Sequence, residues 1–409
     1  EILAIEPVGD DGRPRGLSQY GESVFTLGLQ TIKPDKVTVI ADGTDGKAAI
    51  VRASGVLATI PFLETFRILS PNDYDLPAAL DYVLEPGADA ITVRLSVANS
   101  TVEPIDFTSR QFLGFFHGYR SQAFTEASAF AESSGEIPFV AWDSGPTGFL
   151  VRSLGAPLRT ELEVSGFQMY STKGQVLDAC AIKTVDYLQV VTGGPGIDGL
   201  LEAKRRAAGE PAWRELRGTL TEAGAGALAG AMVHAATPDG RYLTRARTDD
   251  QGAFVLHVPP GAVALTPTLQ GWATPAATPV ADGATTADLT LPARATLVVD
   301  VTEAGSATKL PARVQVIPEG GVPRLPDAYG VRYEANGRLW QEYTMTGRAE
   351  LPVPPGQHRV VVSRGYEHEL FDTTITAEAG KVTAVTAELA HSVDSRDVMC
   401  ADFHIHSYY

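Results

Sequence analysis

The sequence predicts a mostly β chain, built as a multi-domain array of sandwiches, and three observations carry that prediction. The 40 glycines and 27 prolines suit short strands joined by turns and do not suit long helices. Apolar and polar residues alternate with period two over many short runs, as half-buried strands require. One stretch also repeats: Gly347 to Val360 aligns without gaps on Gly252 to Leu265, so that Leu351, Val353, Pro354, Pro355 and Gly356 repeat Leu256, Val258, Pro259, Pro260 and Gly261. At 409 residues the chain is too long for one ordinary core.

Residues 1–198 read as one large β domain. Its clearest strand runs from Ala90 to Ala98, with Ile91, Val93, Leu95 and Val97 on one face and Thr92, Arg94 and Ser96 on the other. Turn clusters bound it at Glu85-Pro86-Gly87-Ala88-Asp89 and Asn99-Ser100-Thr101. Further strand-like runs lie at Val37–Ile40, Phe149–Val151 and Val185–Val191. His117 has no acid–base partner in sequence and reads as structural. Trp142 and Tyr119 could stack on a sugar ring if exposed, but core or rim positions are the simpler reading.

Residues 199–212 form a linker with a short helix, rich in helix formers and ended by Gly209-Glu210-Pro211; Lys204-Arg205-Arg206 reads as its solvated face. Residues 213–292 and 293–391 are the two repeated β units. In the first, Asp249 and Gly252 make a turn, Phe254, Leu256 and Val258 line the core, and Pro-Pro-Gly stiffens a corner. The second opens with the strand Ala295 to Thr302 and carries a long insertion, Gly320 to Trp340, of the kind that is often functional or disordered. In Glu367-His368-Glu369, alternation puts the imidazole opposite both carboxylates, which favours packing between domains over a metal site.

Residues 392–409 end on Asp402-Phe403-His404-Ile405-His406-Ser407. Strand parity places Asp402, His404 and His406 on one face, where two imidazoles and a carboxylate can grip one metal ion.

Four stretches resemble known families. The last one resembles the first barrel strand of the PHP-type metallohydrolases, in particular the carbaryl-hydrolase-like (CehA/McbA) group, and Ser363-Arg364-Gly365-Tyr366-Glu367-His368-Glu369 is similar to a run that precedes that barrel. Thr248-Asp249-Asp250-Gln251-Gly252-Ala253-Phe254 through Pro259-Pro260-Gly261 resembles the carboxypeptidase-regulatory-like module, a small seven-stranded sandwich. Asp81 to Asp89 through Val97 to Ser100 looks like the strand–turn–strand passage of the galactose-mutarotase-like supersandwich.

The resemblances imply a supersandwich, two small seven-stranded-type sandwiches, and then the truncated first strand of an α/β metallohydrolase barrel. They imply that His404 and His406 are metal ligands, with Asp402 a further ligand or an orienting group. A closed barrel needs on the order of 200 residues, and three follow His406. The expectation is therefore the accessory N-terminal region of a metal-dependent hydrolase of small esters or phosphoesters. Divalent ions (Zn, Mn or Fe) would belong to the completed catalytic domain, with none bound tightly here, and that missing domain would be a partner. The alternative is a non-catalytic, extracytoplasmic carbohydrate-binding or surface-display β-sandwich protein with a glycan partner.

The net charge of −16 argues against nucleic acid and against an anionic membrane face. No apolar run reaches the length of a membrane span. Cys180 and Cys400, each beside an alanine, are expected to be buried free thiols. The start at Glu1 fits a removed leader or an open-ended fragment, and tandem sandwiches suggest the periplasm or the cell surface.

Overall fold

A computed structural model describes residues 22–25, 30–59, 75–106, 111–116, 123–133, 135–143, 148–164, 167–331 and 337–394. Asp402, His404, His406, His117, Tyr119 and Cys400 lie outside the described residues. Strands dominate the rest. Among the described residues there is one α-helix, Gly196–Ala207, and one 3-10 turn, Asp327–Tyr329.

The first unit stacks two antiparallel sheets. The eight-stranded sheet runs in the order Gln30–Asp42, Ala49–Thr59, Pro77–Leu84, Ala90–Asn99, Ala181–Gly193, Gly148–Ser153, Phe139–Asp143, Ala123–Phe124. The five-stranded sheet runs Glu22–Phe25, Gln111–Phe116, Phe167–Thr172, Leu158–Val164, Glu136–Ile137. Alternation decides what lies between them: Val93, Leu95 and Val97 join Leu80, Val151, Leu188 and Tyr170 in one core. The opposite face of Ala90–Asn99 carries a polar ladder. Arg52 donates to Asp81 at 2.6 and 2.8 Å, and Arg94 donates to Asp186 at 2.7 Å. The first strand of the eight, which includes Val37–Ile40, forms as the pattern predicts, but it is an edge strand, and Val37 stays 68% exposed.

The two smaller units share one topology of seven strands each. In the first these are Arg214–Glu222, Met232–Ala236, Tyr242–Arg247, Ala253–Val258, Val263–Thr268, Thr278–Val280 and Leu289–Leu291. In the second they are Ala295–Glu303, Ala312–Pro318, Trp340–Thr344, Arg348–Val353, Gly356–Ser363, Phe371–Ala377 and Val382–Leu389. In both, a three-stranded sheet in order fourth–first–seventh packs on a four-stranded sheet in order third–second–fifth–sixth. The Pro-Pro-Gly corners join the fourth strand to the fifth in each.

The turn ahead of the fourth strand shows why the repeat is legible. Asp249 accepts from the backbone N–H groups of Gln251 and Ala253 at 2.9 and 2.8 Å. Gly252 then takes φ +75°, where a Cβ would sit 2.5 Å from the Leu220 carbonyl oxygen. Gly347 repeats this at φ +72°, with its would-be Cβ 3.0 Å from the Val301 oxygen. Positive φ and close approach both demand glycine. Each unit keeps its own core, built on Leu216, Leu256 and Leu265 in one and on Leu297, Leu351 and Val360 in the other.

Three sequence expectations are corrected. The helix starts at Gly196, directly after Pro195, so its first turn reaches back into what was read as the large β domain. Its basic trio is a solvated face only in part: the Arg206 side chain stays 60% exposed, whereas Arg205 is buried. Arg205 is 5% exposed, pairs with Glu202 and lies over the Trp213 ring at 3.6 Å; Arg206 pairs with Asp89 at 2.7 Å and Lys204 with Glu210 at 3.7 Å. Cys180 is exposed, because it sits in a turn at φ +51° with its thiol toward the Thr101 carbonyl.

Candidate functional site

The helix is a wedge and not a tether. Ile197, Leu200, Leu201 and Ala203 pack into a second core of the first unit with Phe130, Phe139 and Leu150. Asp198, in the first helical turn, points the other way, into the next sandwich. Asp198 is 4% exposed. It accepts from the Thr244 hydroxyl at 3.0 Å, from the His257 backbone N–H at 3.0 and 3.1 Å, and meets His257 Nδ1 at 2.6 Å. That carboxylate raises the His257 pKa above its ordinary value, with Glu202 and Glu215 adding to the effect and partial burial opposing it. Burial pushes the Asp198 carboxyl up, and its contacts with His257 and Thr244 pull it back. The charged pair is the state favoured here, since every contact of the carboxylate is with a donor.

Arg245 links three units. Strand register sets it opposite His234, on the face of the four-stranded sheet away from that module's core. Arg245 is 8% exposed, and its guanidinium lies 3.7 Å over the Phe130 ring. It donates to Asp143 Oδ2 at 3.2 Å in the first unit. It also donates to the Tyr329 and Gly330 carbonyl oxygens at 2.7 and 3.3 Å in the last unit. Those carbonyls belong to the 320–340 insertion, whose turn Asp327–Tyr329 is laid across the junction. The Phe130 N–H reaches the Ala328 oxygen at 3.4 Å.

His234 completes the cluster. Its ring stacks on Tyr329 at 4.1 Å and 13°, with Nδ1 3.0 Å from the Tyr242 hydroxyl and Nε2 3.0 Å from the Thr268 hydroxyl. Burial, reinforced by Arg245, holds its pKa well below the ordinary imidazole value. Burial likewise keeps the Tyr242 phenol protonated. Both nitrogens of His234 are taken by hydroxyls, and one ring face is covered. These contacts lock the His234 ring between two strands of its own sheet and the insertion of the last unit, so the arrangement joins the units.

His257→Gln is expected to remove a pH dependence. A histidine with a raised folded pKa contributes stability that is full below its unfolded value, about 6.5. That contribution is lost as pH rises through the folded value. The wild-type melting temperature should therefore fall from pH 6 upward through this window, and His257→Gln should flatten that slope. Matching slopes for the two proteins between pH 6 and 9 would rule out the pair as its source.

Elsewhere, a groove of about 390 Å³ on the first unit is lined by Ser153, Thr172, Lys173, Gln175, Lys183 and Tyr187. Trp142 is fully buried, donates to Gln168 at 2.6 Å and stacks on Phe149, so it is a core residue and presents no face to a sugar. His368 pairs with His391 of its own unit. Among the described residues no group of three or more His, Cys, Asp or Glu could hold a metal ion, and no helix is long and apolar enough to cross a membrane. Sequence reasoning missed Asp198, Arg245, His234 and His257. The 320–340 insertion, which supplies Tyr329 and Gly330, was a sequence signal for Arg245 and His234 alone.

No family model matches the chain and no curated protein matches it. Among solved structures, the shaft pilin SpaA from Lactobacillus rhamnosus GG is 11% identical, with 44% of this chain and 98% of that chain covered, at a TM-score of 0.27. The minor pilin GBS52 of Streptococcus agalactiae is 12% identical over 47% of this chain and 100% of that chain, at a TM-score of 0.23. The Bacillus anthracis TIE protein is 12% identical over 92% and 76%, at a TM-score of 0.20. At such identities and TM-scores nothing about function is carried over from them to this β-sandwich array.

Proposed function

We propose that residues 30–394 act as a non-catalytic spacer of the surface-display kind, an extracytoplasmic β-sandwich array that holds its two ends in a fixed relation. The observation that carries this reading is Arg245, whose one buried guanidinium is shared by three sandwich units. Domains meant to move against each other keep modest, wet interfaces; a buried charge with partners on both sides does the reverse. The test is rotational diffusion by NMR relaxation on the full chain. One correlation time for all three units is expected, and separate, shorter times for each unit would overturn the proposal.

Asp402-Phe403-His404-Ile405-His406-Ser407 favours a second reading, in which the array is the accessory region of a PHP-type metal-dependent hydrolase. Clustered divalent ions there would lower the pKa of bound water and polarise an ester or phosphoester. In a gene product extended beyond Tyr409, His404→Ala with His406→Ala should abolish ester hydrolysis and lower the metal content. Retained metal and activity would end this reading.

A further inference from the structure

His368 lies just ahead of the strand Phe371–Ala377, and His391 just after Val382–Leu389. The two form an isolated antiparallel bridge. The Glu369 N–H donates to the Ala390 oxygen and the Ser392 N–H to the Glu367 oxygen, each at 2.9 Å. These bonds flank the pair and do not join it. His368 and His391 therefore occupy a non-hydrogen-bonded position, where facing Cα atoms come to about 4.5 Å and side chains are closest. Both side chains leave the same face of the bridge. Their ring centroids are 5.0 Å apart at 48°. His368 Nδ1 is buried and has no hydrogen-bond partner. Such a group is normally matched by something.

We propose that His368 and His391 form a two-imidazole site for a borderline divalent transition-metal ion, with Ni²⁺, Cu²⁺ and Zn²⁺ as the class. Imidazole nitrogen suits these ions, whereas Mg²⁺ and Ca²⁺ take oxygen ligands. An ion accepts the lone pair that the protein leaves unmatched on His368. The bridge has already brought the two rings together, so little ordering remains when the ion binds. Water completes the coordination shell, and with two protein ligands the site is weaker than a three- or four-ligand zinc centre. The bound ion would staple the segment just after the last strand to the segment that enters the sixth. This goes beyond the spacer reading and does not depend on it.

The test uses the full chain carrying His404→Ala and His406→Ala, so that the terminal motif cannot bind. Its thiols are alkylated, because Cys180 is exposed. Ni²⁺ is titrated calorimetrically. One Ni²⁺ per chain is expected, with Cu²⁺ tighter than Ni²⁺. His391→Ala, at an exposed position, should weaken Ni²⁺ binding by about tenfold or more, equivalent to about 1.4 kcal/mol. His368→Ala should do the same, and if that variant fails to fold, His391→Ala alone decides. No Ni²⁺ uptake with both histidines in place would overturn the proposal, as would uptake unchanged by His391→Ala.

Discussion

Arg245→Ala is expected to lower stability by about 3–5 kcal/mol, the usual cost of removing one partner from a buried ion pair. Four contacts go at once: Asp143, the Tyr329 and Gly330 carbonyls, and the Phe130 ring. The loss is confined to the junction, since Arg245 lies outside the module's own core. Calorimetry should therefore show separate unfolding transitions where the wild type shows coupled ones. The units should also tumble apart, which ties this result to the spacer reading. Arg245→Lys keeps the charge but loses the planar fork, so it should fall between the two. Arg245 Nε has no partner in the native state, a cost of about 1–3 kcal/mol that the other contacts offset. A well-packed apolar substitute would therefore lose less than alanine does. A variant with Ala at 245 that unfolds like the wild type would show that the clasp does not hold the units.

Asp198→Ala should be of similar size, about 3–5 kcal/mol. It strands the Thr244 hydroxyl, the His257 N–H and the His257 ring together in a buried place. Asp198→Asn keeps an acceptor for the first two and removes the charge, so it should cost less. It should also abolish the alkaline loss of stability, because the His257 pKa is raised chiefly by this carboxylate. Urea unfolding at pH 6 and pH 9 separates the outcomes. If Asp198→Asn keeps the wild-type pH dependence, another group is its source.

The features legible in the chain are local. Turn chemistry at Asp249, Gly252 and Gly347 and the Pro-Pro-Gly corners depend on neighbours within a few residues, so they can be read from spacing. Alternation in Ala90–Asn99 likewise marks the buried face without reference to any partner strand. It could not say what covers the other face. Val37 alternates as a core residue would, and the edge of the sheet leaves it exposed. Arg205 reads as a solvated charge, and the neighbouring sandwich buries it. Arg245 finds Tyr329 and Asp143 at separations of 84 and 102 residues. That arginine's role arises from domain docking, since pairing across such distances depends on how whole units meet and not on the pattern of any one strand. His368 and His391 show the same limit. Parity set the imidazole apart from the carboxylates beside it, but only the closure of the last sandwich brought a second imidazole to face it.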